Sequence, residues 1–116
     1  MILLVEDDAI TRHSFANLLQ NAGHEVVEAK DGSEALELLD QFPISLVVTD
    51  MVLPKLHGMT LIGQIRTRWP TIPIVLISAY LTQEAGETIM GRAAHFLQKP
   101  VRPSALVAVV RRLLAH

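Results

Sequence analysis

Short apolar runs alternate along this chain with longer stretches in which apolar positions recur every three or four residues. Ile2–Val5, Glu25–Glu28, Ser45–Thr49, Ile74–Ile77 and His95–Leu97 are the predicted strands. Three of them are almost continuously apolar, as in strands buried on both faces of a parallel sheet. Between them, Thr11, Phe15, Leu18, Leu19 and Ala22 fall on one helical stripe, with Asp8 as the expected N-cap and Gly23 as the expected stop. Asp31-Gly32 marks a turn, after which Ala35, Leu36, Leu38 and Leu39 pattern a short helix that Pro43 ends. A third helix is expected from near Gly58 to Arg68, before Pro70 and Pro73, and a fourth over Gln83 to Met90. The last opens with Pro103, suited to a first helical turn, and carries Leu106, Val109, Val110, Leu113 and Leu114.

Strand and helix thus alternate five times, with no repeat or low-complexity tract between them. Such alternation argues for a parallel sheet with helices on both faces. In these sheets ligands bind outside the carboxyl ends of the strands, where the strand order reverses. Chemistry-bearing residues stand at those ends. Glu6, Asp7 and Asp8 follow the first strand, Asp50 closes the third, Ser78 the fourth, and Lys99 follows the fifth. Taken singly, most are ordinary. Asp8 suits a helix cap, serine ends many strands, and a lysine before a proline is commonplace. Asp50 is less so, because apolar residues flank it on both sides in "LVVTDMVLP". The joint pattern, one group at the end of each strand, carries the weight. Three adjacent carboxylates repel one another, the more so where water is limited, so a positive charge is expected among them.

Composition narrows the classes. The chain has 116 residues, half of them apolar and 19% charged, which is globular rather than disordered. A net charge of −2 offers no footprint for nucleic acid. The absence of cysteine excludes disulfides and thiolate metal sites. No apolar run approaches the roughly 18 residues of a membrane span. Nor do the first residues read as a signal peptide, since Met1 leads straight into a strand-like run, and a cytoplasmic location is expected.

The segments "ILLVEDD", "AKDGSEALELL", "LVVTDMVLPKLHGM", "IPIVLISAY" and "FLQKP" together are highly specific. Over nearly its whole length the chain resembles the receiver domain of two-component response regulators. The resemblance implies an α/β fold: a flavodoxin-like, three-layer α/β/α sandwich with five helices on a five-stranded parallel sheet of order 2-1-3-4-5. It implies one receiver domain over residues 1–116, with no output domain among them. It implies that Asp50 accepts a phosphoryl group from a phosphohistidine on a sensor histidine kinase or phosphotransfer protein. Glu6 and Asp7 match the family's acidic pair, Ser78 its hydroxyl position, Lys99 its lysine, with a cis Lys99–Pro100 bond, and Phe96 its aromatic switch position. Pro54 and Gly58, four and eight residues after Asp50, match as well.

On this reading a cation is required, because a phosphoryl group adds charge beside Glu6, Asp7 and Asp50. Magnesium fits, with manganese able to substitute, since it takes oxygen ligands and binds through a few carboxylates plus phosphate. Asp7, Asp50 and the backbone carbonyl of Val52 are the expected direct ligands, with Glu6 acting directly or through water. Lys99 is expected to meet one phosphate oxygen and Ser78 another. Ser78 would then vacate space, Phe96 would turn inward, and the surface of the fourth helix, fifth strand and fifth helix would change. That surface is also where a homodimer is expected. The domain would assist its own phosphorylation and dephosphorylation and would not otherwise be an enzyme. Val52 cannot orient water through its side chain and Tyr80 can cover the phosphate, so slow dephosphorylation is expected.

The chain departs from the family pattern near its fourth helix. Arg92 stands where glycine is common, Gly91 precedes it, and the interval from Ser78 to Lys99 is one residue short, so a shortened helix is expected. Arg102 replaces a usual capping residue before the fifth helix. Two other readings compete. A phosphatase with an aspartyl nucleophile would place a second aspartate two residues after the nucleophile, where this chain has Val52. A receiver used only for binding, without phosphorylation, would leave Asp50 idle.

Overall fold

The structure is a computed structural model that describes residues 1–54 and 56–115. Its elements in order are β1 (Ile2–Val5), α1 (Ala9–Asn21), β2 (Val26–Ala29), α2 (Gly32–Gln41), β3 (Leu46–Asp50), α3 (Gly58–Arg68), β4 (Ile74–Ser78), α4 (Gln83–Met90), β5 (His95–Gln98) and α5 (Pro103–Leu114). The five strands are parallel and ordered β2-β1-β3-β4-β5, as expected.

Alternation along the strands sorts the core into two halves. Leu3, Val5, Val47, Leu76 and Phe96 point to one face, where Ala35 and Leu39 of α2, Leu61 and Ile65 of α3 and Met90 of α4 cover them. Ile2, Leu4, Leu46, Val48, Val75 and Ile77 point to the other, beneath Ala16 and Leu19 of α1 and Leu106 and Val110 of α5. Both faces of the central strands are therefore buried, which is why their sequence is continuously apolar. Among the described residues no helix is long and apolar enough to cross a membrane.

Local differences from the sequence expectation have backbone causes. Strands β2 and β3 lie one residue later than predicted, because their ladders run on by one residue. Glu6 N–H donates to Ala29 O at 3.0 Å, and Asp50 pairs with Ile77. Asp31-Gly32 is a helix start rather than a separate turn, since Asp31 Oδ1 accepts from the Glu34 N–H at 2.8 Å and caps α2. On α1, Ala16 is buried, a position that the predicted stripe did not include. The fourth helix is short, as expected: α4 has 8 residues and ends at Gly91, whose φ of +53° suits glycine. Arg102 precedes α5 without a side-chain cap, and Pro103 starts the helix.

Candidate functional site

Three carboxylates and one ammonium meet at the carboxyl ends of β1, β3 and β5. Strand β1 delivers Glu6, which is buried, and Asp7, which is exposed. Asp8 then turns the chain into α1, its Oδ2 accepting from the Thr11 N–H at 2.9 Å and the Thr11 hydroxyl at 2.6 Å. These two bonds hold the Asp8 carboxyl below its ordinary value. Of the three consecutive acids, the third thus caps a helix and the first two face Asp50. Ligand oxygens of Glu6, Asp7 and Asp50 all lie within 4.8 Å of one another.

Asp50 Oδ1 accepts from the Met51 N–H at 2.8 Å, and its Oδ2 lies 3.0 Å from Lys99 Nζ. The same ammonium is 3.5 Å from Glu6 Oε1. Lys99 comes from the end of β5, where a cis Lys99–Pro100 bond follows and the Lys99 N–H donates to Ser78 O at 2.9 Å. Burial works against the ammonium, but the hydrogen bond and charge of Asp50, with Glu6 behind it, hold its pKa above the ordinary value. Burial also pushes the Glu6 carboxyl up to about 7, aided by its hydrogen bond with Asp7 and the Asp50 charge, against the Asp8 N–H and Lys99. A carboxylate this reluctant to ionise beside two others is a site in want of further positive charge.

The other expected residues lie on β3, β4 and β5 or just beyond them. Ser78 is fully buried, accepts from the Tyr80 N–H at 3.0 Å and donates to Met51 Sδ at 3.4 Å, so its hydroxyl rests against the residue beside Asp50. Val52 and Tyr80 are exposed at the rim, the tyrosine by 75%. Phe96 is buried against α4 with Asp50 paired to Lys99. Gly58 closes the loop after Asp50: its N–H donates to Met51 O at 2.8 Å, and a Cβ there would stand 2.5 Å from Asp50 O. That contact is a physical reason for glycine eight residues after the aspartate.

Several residues at or near the site carried no sequence signal. Arg12 of α1 donates from Nη1 to Glu6 O at 2.8 Å and from Nε to Glu28 Oε1 at 3.2 Å. The Gln83 side chain spans the outer edge of β5, Nε2 donating to Phe96 O at 2.5 Å and Oε1 accepting from the Gln98 N–H at 2.9 Å. Gln98 returns the bond, its Oε1 accepting from the Gln83 N–H at 3.0 Å. A side-chain amide thus does for an edge strand what a neighbouring strand would.

A doubly wound sheet with an aspartate, an acidic pair and a lysine gathered at its carboxyl edge is the arrangement the family resemblance implies. The chain belongs to the response regulator receiver domain family, whose model matches residues 2–111. It is 38% identical over 112 residues to the response regulator protein FleR of Pseudomonas aeruginosa, a match covering 96% of this chain and 24% of that protein. It is 33% identical over 116 residues to the sensor kinase CckA of Brucella abortus, covering 97% of this chain and 12% of that one. The chain thus spans a quarter or less of these relatives. The crystal structure of the receiver domain of NtrX from Brucella abortus matches with a TM-score of 0.90 at 31% identity, over 99% of this chain and 98% of that one. Receiver domains of this family work in phosphorelay signalling with sensor kinases and output domains, and generally bind magnesium at an acidic pocket.

Proposed function

We propose that Asp50 accepts a phosphoryl group from a phosphohistidine on a sensor histidine kinase or phosphotransfer protein. The observation that carries this is the Lys99 ammonium 3.0 Å from Asp50 Oδ2, with Glu6 and Asp7 gathered beside the same carboxylate. An Asp50 oxygen attacks phosphorus, the P–N bond to the donor imidazole breaks as the O–P bond forms, and the imidazole leaves with the electron pair. Lys99 binds an equatorial oxygen of the phosphoryl group as its charge develops. Ser78 turns from Met51 Sδ to donate to another. The donor set is all oxygen and suits magnesium or manganese, with Asp7, Asp50 and the Val52 carbonyl as ligands and Glu6 direct or through water. When bound, the ion supplies the charge that offsets three carboxylates and the incoming phosphate.

The acyl phosphate then biases the surface of α4, β5 and α5 toward one of two states, and this surface meets the downstream domain, a partner or a second copy. The domain assists its own phosphorylation and dephosphorylation and turns over no other substrate. Intact-mass measurement after incubation with acetyl phosphate and magnesium tests the chemistry. One phosphoryl group is expected on the wild type and none on Asp50→Asn, whereas an unmodified wild type would return the chain to a binding role without phosphorylation. The apolar Val52 side chain, 45% exposed at the rim, offers an attacking water no hydrogen bond. Slow loss of the phosphoryl group is therefore expected in the isolated domain with magnesium, and a half-life of seconds would contradict it.

A further inference from the structure

We propose that Arg12 is a positioning residue for the acidic pair, holding the Glu6–Asp7 peptide so that both side chains face Asp50. The inference rests on the metal reading above and extends it to a side chain outside the donor set. The last ladder bond tying β1 to β2 here is Glu6 N–H to Ala29 O at 3.0 Å. The next fixed point is Asp8, the cap of α1. Both candidate ligands of β1 hang on the short bridge between these points. Arg12 Nη1 holds that bridge in the middle, donating to Glu6 O at 2.8 Å.

The guanidinium is itself anchored. Its Nε lies 3.2 Å from Glu28 Oε1 on β2, and the Arg12 side chain is only 15% exposed. Glu28 also lies 3.0 Å from His13 Nδ1, the next residue of α1. Because the guanidinium is a rigid plane, bonds from two of its nitrogens fix its orientation, and with it the direction of the Glu6 carbonyl. Rotating that peptide would swing the Glu6 and Asp7 side chains relative to Asp50. Groups that orient metal ligands in this way typically affect affinity by about 10–100-fold.

Magnesium alone, titrated calorimetrically into wild type, Arg12→Gln, Arg12→Lys and Glu28→Gln, tests this. Arg12→Gln is expected to weaken magnesium binding by roughly tenfold. Glu28→Gln, which keeps the guanidinium but loosens its anchor, is expected to weaken binding less. Arg12→Lys keeps the charge but cannot span both partners, so it is expected to recover only part of the loss. In phosphorylation by acetyl phosphate, the Arg12→Gln defect is expected in the magnesium concentration for half-maximal rate, with the rate at saturating magnesium within a few fold of wild type. A purely stabilising role would lower the melting temperature and leave the magnesium affinity of the folded protein unchanged, which would overturn the proposal. Full recovery by lysine would also overturn it, by showing that charge alone acts. If the wild type itself bound no magnesium, the metal reading would fall with it. Wild-type binding with an unchanged Arg12→Gln would overturn only the role of Arg12.

Discussion

Lys99→Met is expected to slow phosphoryl acceptance by Asp50 by about 10²–10³-fold, the usual cost of removing one fixed donor from a developing oxyanion. Methionine keeps an unbranched apolar stem nearly as long as that of lysine but brings no charge. The ammonium sits 3.0 Å from Asp50 Oδ2 and 3.5 Å from Glu6 Oε1, so its loss leaves a carboxylate cluster with one counter-charge fewer. Glu6, already raised to about 7 by burial, loses one of the groups that pull it down. It can respond by taking up a proton, so the folded state is expected to survive. Magnesium supplies the discriminating measurement. Lys99 and a divalent cation repel each other across the same carboxylates, so Lys99→Met is expected to bind magnesium at least as tightly as wild type while losing phosphorylation. Calorimetry and intact-mass kinetics on one preparation would show the two quantities moving apart. If both fell together, general damage to the site would explain the loss and the assigned role of Lys99 would fail.

The sequence was most informative where one residue type must do one job. Alternating elements, the strand order implied by the family resemblance, and the groups on separate strand ends all survive in the structure. Apolarity could not show where a ladder stops, because backbone hydrogen bonds extend β3 through Asp50 whatever side chain stands there. The Asp31-Gly32 pair was legible as a break in pattern but not as a helix start, since Asp31 suits either role until its bond to the Glu34 N–H is seen. Arg12 and Gln83 stayed hidden for a different reason. Each acts on backbone atoms of a remote strand, Glu6 O in one case and Phe96 O with the Gln98 N–H in the other, and such contacts leave no periodicity. The packing of Phe96 was likewise invisible. The resemblance marked it as a residue that turns inward on phosphorylation; in the structure the ring is buried against α4, with the Asp50 carboxylate paired to Lys99. Gly86, the residue that makes this possible, had no distinguishing mark in the sequence.

Gly86→Ala is expected to destabilise the domain by about 1–3 kcal/mol and to loosen α4, although alanine is the better helix former. The helix passes so close to β5 here that a Cβ on Gly86 would overlap Cγ, Cδ2 and Cε2 of the Phe96 ring. Something must shift. The ring is buried, and the Gln83–Gln98 bonds hold the start of α4 to the strand, so neither partner can yield freely. Gly63 in α3 provides the opposite case within the same protein. Among the described residues a Cβ there meets nothing within 4 Å, so Gly63→Ala is expected to stabilise by about 0.5–1 kcal/mol through backbone entropy and helix propensity alone. Urea unfolding of both variants would separate collision from propensity, and Phe96→Val identifies the colliding partner. If overlap with the ring is the cause, Gly86→Ala should cost much less in a Phe96→Val background, with a coupling of about 0.5–3 kcal/mol between the two sites. Equal costs in both backgrounds would place the strain elsewhere. Hydrogen exchange adds the functional reading. Loss of protection across Gln83 to Met90 in Gly86→Ala would show that the fit of ring to glycine is what seats α4, and so sets the resting position of the surface that phosphorylation is proposed to move.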